Sequence, residues 1–115
     1  MFFDIQGTLI SSGEPRPHVR EVFQKLEGLG HYVYLWSSAG GAYAASAAGL
    51  LGVEDLILGC YSKSAPPPIN VDFVVDDQPG FTDHYDNGFT IPPFDGDPDD
   101  QELWKAVEII QEVGL

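Results

Sequence analysis

Four sets of polar side chains stand where short apolar runs end. They are Asp4, the hydroxyls Ser37 and Ser38, Lys63, and the adjacent acids Asp76 and Asp77. Together they offer the parts of a site for phosphoryl transfer. A carboxylate such as Asp4 can attack phosphorus and also touch a metal ion, and the hydroxyls of Thr8, Ser37 or Ser38 can hold phosphoryl oxygens. Lys63 can neutralise charge on a phosphate and on the attacking acid. Three carboxylates gathered without a counterion raise one another's pKa, so the set is electrostatically sensible only with Lys63 and a divalent ion. Oxygen ligands of this kind suit Mg²⁺. Taken singly, each group has a plainer role: Asp4-x-x-Gly7-Thr8 as a structural turn, the serines as a helix cap, Lys63 as a solvated loop lysine, the acid pair as a capped loop. Their recurrence at strand ends, where open α/β sheets collect ligands, favours the site.

Local patterning says which elements must bring these groups together. Met1 to Asp4 reads as a short strand, and Leu9 to Pro17, rich in Ser, Gly and Pro, as a loop. Apolar residues at three- and four-residue spacing, Val19, Val22, Phe23, Leu26 and Leu29, predict an amphipathic helix from Pro17 to Leu29. His31 to Trp36 is a second strand, and Ala42 to Leu51 an alanine-rich helix suited to close packing on a sheet and closed by Gly52. Leu56 to Cys60 reads as a third strand. Pro66, Pro67 and Pro68 forbid a helix between Tyr61 and Asn70. Val71 to Val75 and Asn87 to Ile91 read as further strands. A last helix is expected from Pro98 to Val113, capped by Asp97, with Leu103, Val107 and Ile110 on one face. The alternation predicts one domain spanning residues 1–115, an α/β three-layer sandwich around a mainly parallel, Rossmann-like sheet.

Composition narrows the partners. A chain of 115 residues with 43% hydrophobic side chains can bury one core, and a net charge of −13 repels polyanions, so nucleic acid is a poor partner. Cys60 is the only cysteine and is read as a small buried hydrophobe. No apolar run is long enough to span a bilayer, and no signal-peptide pattern opens the chain, which predicts a soluble, cytoplasmic protein without a membrane partner. His18, His31 and His84 show no ligand spacing, and Trp36 and Trp104 are expected in or near the core. The acids from Asp95 to Asp100 lack the glycine and the closing acid of a calcium loop and are read as a helix cap.

The order of the four sets, a lone Asp first and the acid pair last, resembles the four motifs of the haloacid dehalogenase (HAD) superfamily, from Asp4 to about Asp83. A response-regulator receiver uses the same ingredients in a different order. The resemblance implies that Asp4 is a nucleophile, that Ser37, or Ser38 in its place, binds phosphate, and that Lys63 is the superfamily's lysine. It implies Mg²⁺ held by Asp77 and Asp4, with Asp76 behind and the Gln6 main-chain carbonyl as a further ligand. The phosphatases of that superfamily carry a second aspartate, a general acid and base, where Gln6 stands, and a glutamine cannot exchange a proton at neutral pH. The expectation is a Mg²⁺-dependent phosphohydrolase or phosphotransferase made slow by Gln6. The alternative is a non-catalytic relative that binds a phosphorylated ligand or a protein partner. Leu9 to Pro17 and Ser64 to Asn70 are too short to hold the cap domain usual in that superfamily. An open site is therefore expected, one that admits a bulky or protein-borne phosphate as well as a small one, or borrows a partner or a second copy as its lid.

Overall fold

The computed structural model describes residues Met1–Leu115. Its elements, in chain order, are β1 (Phe2–Asp4), β2 (Ile10–Ser11), β3 (Glu14–Pro15), α1 (Val19–Gly28), β4 (Tyr34–Ser37) and α2 (Gly41–Leu51). There follow β5 (Gly59–Ser62), β6 (Val74–Asp76), α3 (Pro79–Thr82), β7 (Gly88–Thr90) and α4 (Trp104–Val113). Five strands form one sheet in the order β5-β4-β1-β6-β7, and every pairing in it is parallel. The fold is thus a Rossmann-like α/β arrangement. The chain runs outward from β1 through β4 to β5, then crosses back to β6 and β7. Strand order reverses between β1 and β6, and such a switch point opens a crevice at the carboxyl ends of the strands.

Strand side chains alternate between faces. Phe3, Leu35 and Val75 enter the main core with Val22, Phe23 and Leu26 of α1, the alanines of α2, and Ala106, Val107 and Ile110 of α4. Phe2, Trp36 and Val74 point the other way, into a smaller cluster with Ile69, Val71, Phe81 and Tyr85. All three long helices therefore share one face of the sheet. The opposite face is covered only by the proline-rich connection and the single turn of α3, so the third of the expected layers is thin. The prolines explain this, since a segment that cannot donate its helical N–H groups crosses the sheet as a loop.

Three local expectations need correction. Leu9 to Pro17 is not a plain loop, because Ile10 pairs with Pro15 and Ser11 with Glu14 in a small hairpin. Ser12 (φ 51°) and Gly13 (φ 77°) both take positive φ at its tip, as a type I′ turn demands. The final helix begins at Trp104, six residues later than expected at Pro98, and Asp97 does not cap it. The acids before it satisfy their own backbone instead: the N–H groups of Asp97, Asp99 and Glu102 donate to the side chains of Asp95, Asp97 and Asp100 at 2.9–3.0 Å. Aspartates that close such turns compete with the helix for its N–H groups. Cys60 is half-buried at the edge of the main core rather than fully inside it.

Arg16, only 2% exposed, joins these irregular segments. Its Nε and Nη2 donate to the two carboxylate oxygens of Asp100 at 2.9 and 3.0 Å. Nη1 donates to the Thr8 carbonyl at 3.2 Å and Nη2 also to that of Pro92 at 2.9 Å. Burial pushes the Asp100 carboxyl up, but the Arg16 hydrogen bond, the Glu102 N–H and the guanidinium charge together hold it below its ordinary range. Removing one partner of a buried pair strands the other, at a cost of about 3–5 kcal/mol. Arg16→Ala is therefore expected to lose about 3–5 kcal/mol in urea unfolding, since two carbonyls are orphaned along with Asp100. A loss below about 1 kcal/mol, the value of a surface pair, contradicts this role.

Candidate functional site

The carboxyl ends of β1, β4, β5 and β6 converge on one cleft. Asp4, Ser37 and Asp76 are the last residues of β1, β4 and β6, and Lys63 and Asp77 lie one residue past β5 and β6. The register Phe3↔Val75 brings Asp4 level with Asp76, and Ser37↔Ser62 delivers Lys63 beside them. The cleft has a volume of about 550 Å³. Asp4, Gln6, Ser37, Ser38, Lys63, Asp76 and Asp77 all line it. Its floor is buried, with Asp4 7%, Ser37 5% and Asp76 0% exposed, whereas Gln6, Ser38 and Gln78 on its rim are exposed.

Lys63 holds the floor together. Its Nζ donates to Asp4 Oδ1 at 2.7 Å and to Asp76 Oδ2 at 2.6 Å, and lies 4.3 Å from the centre of the Phe81 ring. Its backbone N–H donates to the Ser37 carbonyl at 3.0 Å. Asp76 is fixed from its other oxygen, which accepts the Gln78 N–H at 2.9 Å. An ammonium between two carboxylates over an aromatic face is held in one place from every side. Burial lowers the Lys63 pKa, but hydrogen bonds and charge from Asp4 and Asp76 outweigh it and raise the group above its ordinary value.

Asp4 behaves differently. Its carboxyl is raised from the ordinary 3.8 to about 6, chiefly by burial, against the pull of Lys63 and with help from the Asp76 charge and a hydrogen bond involving Asp77. One lysine does not compensate three acids. Carboxylate oxygens of Asp4, Asp76 and Asp77 lie within 4.8 Å of one another. The intervening loop is shaped to allow this: Gly7 (φ 85°) packs so closely on Asp77 that a Cβ there would overlap its carboxylate. The hard oxygen donors of this cluster are the kind that a small divalent cation takes.

The remaining sites fall in several places. The Thr8 hydroxyl does not line the cleft; it is fully buried and donates to Asp4 Oδ2 at 3.1 Å, with Asp77 Oδ1 at 3.5 Å. Thr8 thus orients the acids from beneath. Ser37 Oγ accepts the Ala39 N–H at 3.0 Å, and Ser38 stands exposed at the cleft mouth. The Gln6 side chain is also exposed, and its Oε1 accepts the Tyr43 hydroxyl at 2.9 Å.

Three residues of the site carry no strand-end signature. Tyr43 enters from the first turn of α2, Phe81 from α3, and Arg16 from behind through the Thr8 carbonyl. Only Arg16 left a trace in the sequence, as a cation between two prolines in a strongly acidic chain. Comparisons of the chain with protein-family models, with characterised proteins and with solved structures return no match.

The Asp4 environment sets a pH dependence. Its folded pKa lies above its unfolded one, so the stability it contributes is fully present below about pH 4 and is lost as pH rises through about 6. In chelator, Asp4→Asn is expected to gain stability relative to wild type as pH rises from about 4 to about 7. Urea unfolding at each pH measures this. A difference that stays constant across the range contradicts the raised Asp4 pKa.

Proposed function

We propose that the protein is a Mg²⁺-dependent phosphohydrolase or phosphotransferase of the HAD type, without a cap domain, that acts through an aspartyl-phosphate on Asp4. The observation that carries this reading is the convergence of Asp4, Asp76 and Asp77 within 4.8 Å around the Lys63 ammonium, at the switch point of a parallel sheet. Asp4 and Asp77 would hold the metal with the Gln6 carbonyl, and Asp76 would support them. Bound there, Mg²⁺ would neutralise phosphate charge and orient the phosphoryl group for in-line attack.

The chain's own residues divide the remaining work. Asp4 attacks phosphorus, the bond to the leaving oxygen breaks with its electron pair, and Lys63 screens the charge shared between carboxylate and phosphate. Ser37 or Ser38 holds a phosphoryl oxygen, and Thr8 fixes the carboxylate that attacks. Ionised Asp4 is needed both to attack and to bind the cation, so protons compete with Mg²⁺ for it, and its elevated metal-free pKa predicts that more Mg²⁺ is needed for half-maximal activity as pH drops below about 6. Gln6 lies at the rim, bonded to Tyr43, and supplies no proton. Hydrolysis of the aspartyl-phosphate is the step this slows.

Steady-state turnover of an aryl phosphate at saturating Mg²⁺ tests the reading. Wild type is expected to be slow, Asp4→Asn inactive, and Gln6→Asp faster by at least about tenfold, a conservative part of the roughly 10² to 10⁴ that a general acid and base contributes. Turnover that survives Asp4→Asn, or that ignores Mg²⁺, overturns it.

A further inference from the structure

A second cavity adjoins the cleft. It has a volume of about 260 Å³ and lies between the hairpin and α2, walled by Ile10, Gly13, Ala47 and Leu50 with the single hydroxyl of Ser46. Gln6 and Tyr43 line both it and the cleft, so the hydrogen-bonded pair forms the seam between them. Both are rim residues, Gln6 exposed and Tyr43 36% exposed, so the two cavities meet at the protein surface across this pair. No charged side chain lines this recess, in a chain of net charge −13 whose neighbouring cleft holds three acids and a lysine.

From this continuity we propose that the recess is the subsite for the leaving group of the phosphorylated substrate, and that it takes an uncharged, apolar group the size of a short alkyl chain or a single ring. The proposal rests on the phosphoryl-transfer reading above. The phosphoryl group at Asp4 and Lys63 fixes one end of the ligand, and the open seam leads its other end onto Leu50, which is 58% exposed. Covering that side chain removes apolar surface from water, which an anionic or sugar-like group does not reward. A cavity of about 150 Å³ with an apolar lining already admits benzene, so this one has room for such a group. A third cavity, of about 380 Å³, reaches the cleft only at Lys63. That side chain is locked between Asp4 and Asp76 and acts as a partition, so it offers no passage.

Calorimetry with non-hydrolysable phosphonates in excess Mg²⁺ separates the two readings. Butylphosphonate is expected to bind about tenfold more tightly than methylphosphonate, from three added methylenes partly buried in the recess. Leu50→Glu replaces an exposed side chain in the last turn of α2 with a charged one that shuns apolar contact, and it is expected to erase that preference while leaving methylphosphonate affinity unchanged. Equal binding of the two phosphonates to wild type, or a preference that survives Leu50→Glu, overturns the subsite and leaves the phosphoryl site standing. Failure of methylphosphonate itself to bind overturns the reading beneath it and the subsite together.

Discussion

The ammonium of Lys63 is held between Asp4 and Asp76, and the buried floor of the cleft is built around it. Burying two carboxylates at adjacent strand ends is costly, and a single cation between them offsets that cost only when the geometry is fixed and the remaining hydrogen bonds are made. The chain meets both conditions. Parallel pairing sets the two acids level, the β4–β5 register carries Lys63 alongside, and Phe81 closes the face beneath it. One lysine is set among three acids whose oxygens lie within 4.8 Å of one another, so the cluster carries more acids than cations.

A second constraint acts from behind. Gly7 and Thr8 must stay in a tight turn so that Asp77 can approach, and the turn is secured on both sides. The Gly7 N–H donates to the Ile10 carbonyl at 2.8 Å, the Gly7 carbonyl accepts the Phe94 N–H at 2.9 Å, and the Thr8 carbonyl is bonded to Arg16. The hairpin and the acidic segment before α4 are therefore scaffolding for the site loop. Of five basic residues in the chain, Arg16 and Lys63 each bind acids from distant segments in poorly solvated surroundings. The strong net charge is left to the surface.

Much of the fold was legible because its signals are local. Apolar runs located all five strands of the main sheet to within a few residues, and the period of Val19, Val22, Phe23 and Leu26 located α1. Where side chains override backbone preference the reading failed. Asp97, Asp99 and Asp100 look like a helix start, yet the carboxylates of Asp97 and Asp100 serve turns, and that of Asp100 also an arginine. The hairpin was hidden by arms of two residues each, too short for alternation to show. In the cleft, the strand-end groups could be named from position alone, whereas Tyr43 and Phe81 arrive from helices through tertiary packing that no spacing encodes. Thr8 was legible as a hydroxyl but not in its direction, which is set by burial beneath Asp4 and Asp77.

The proposed chemistry makes Asp4 a phosphoryl acceptor poised by Lys63 and a divalent cation. A crystal structure with Mg²⁺ and beryllofluoride, a mimic of an aspartyl-phosphate, tests it most directly. A beryllofluoride adduct is expected on the Asp4 carboxylate, with Lys63 beside it and the metal held by Asp4 and Asp77. An adduct on another side chain, or an unmodified Asp4 with saturating beryllofluoride and Mg²⁺ present, would contradict it.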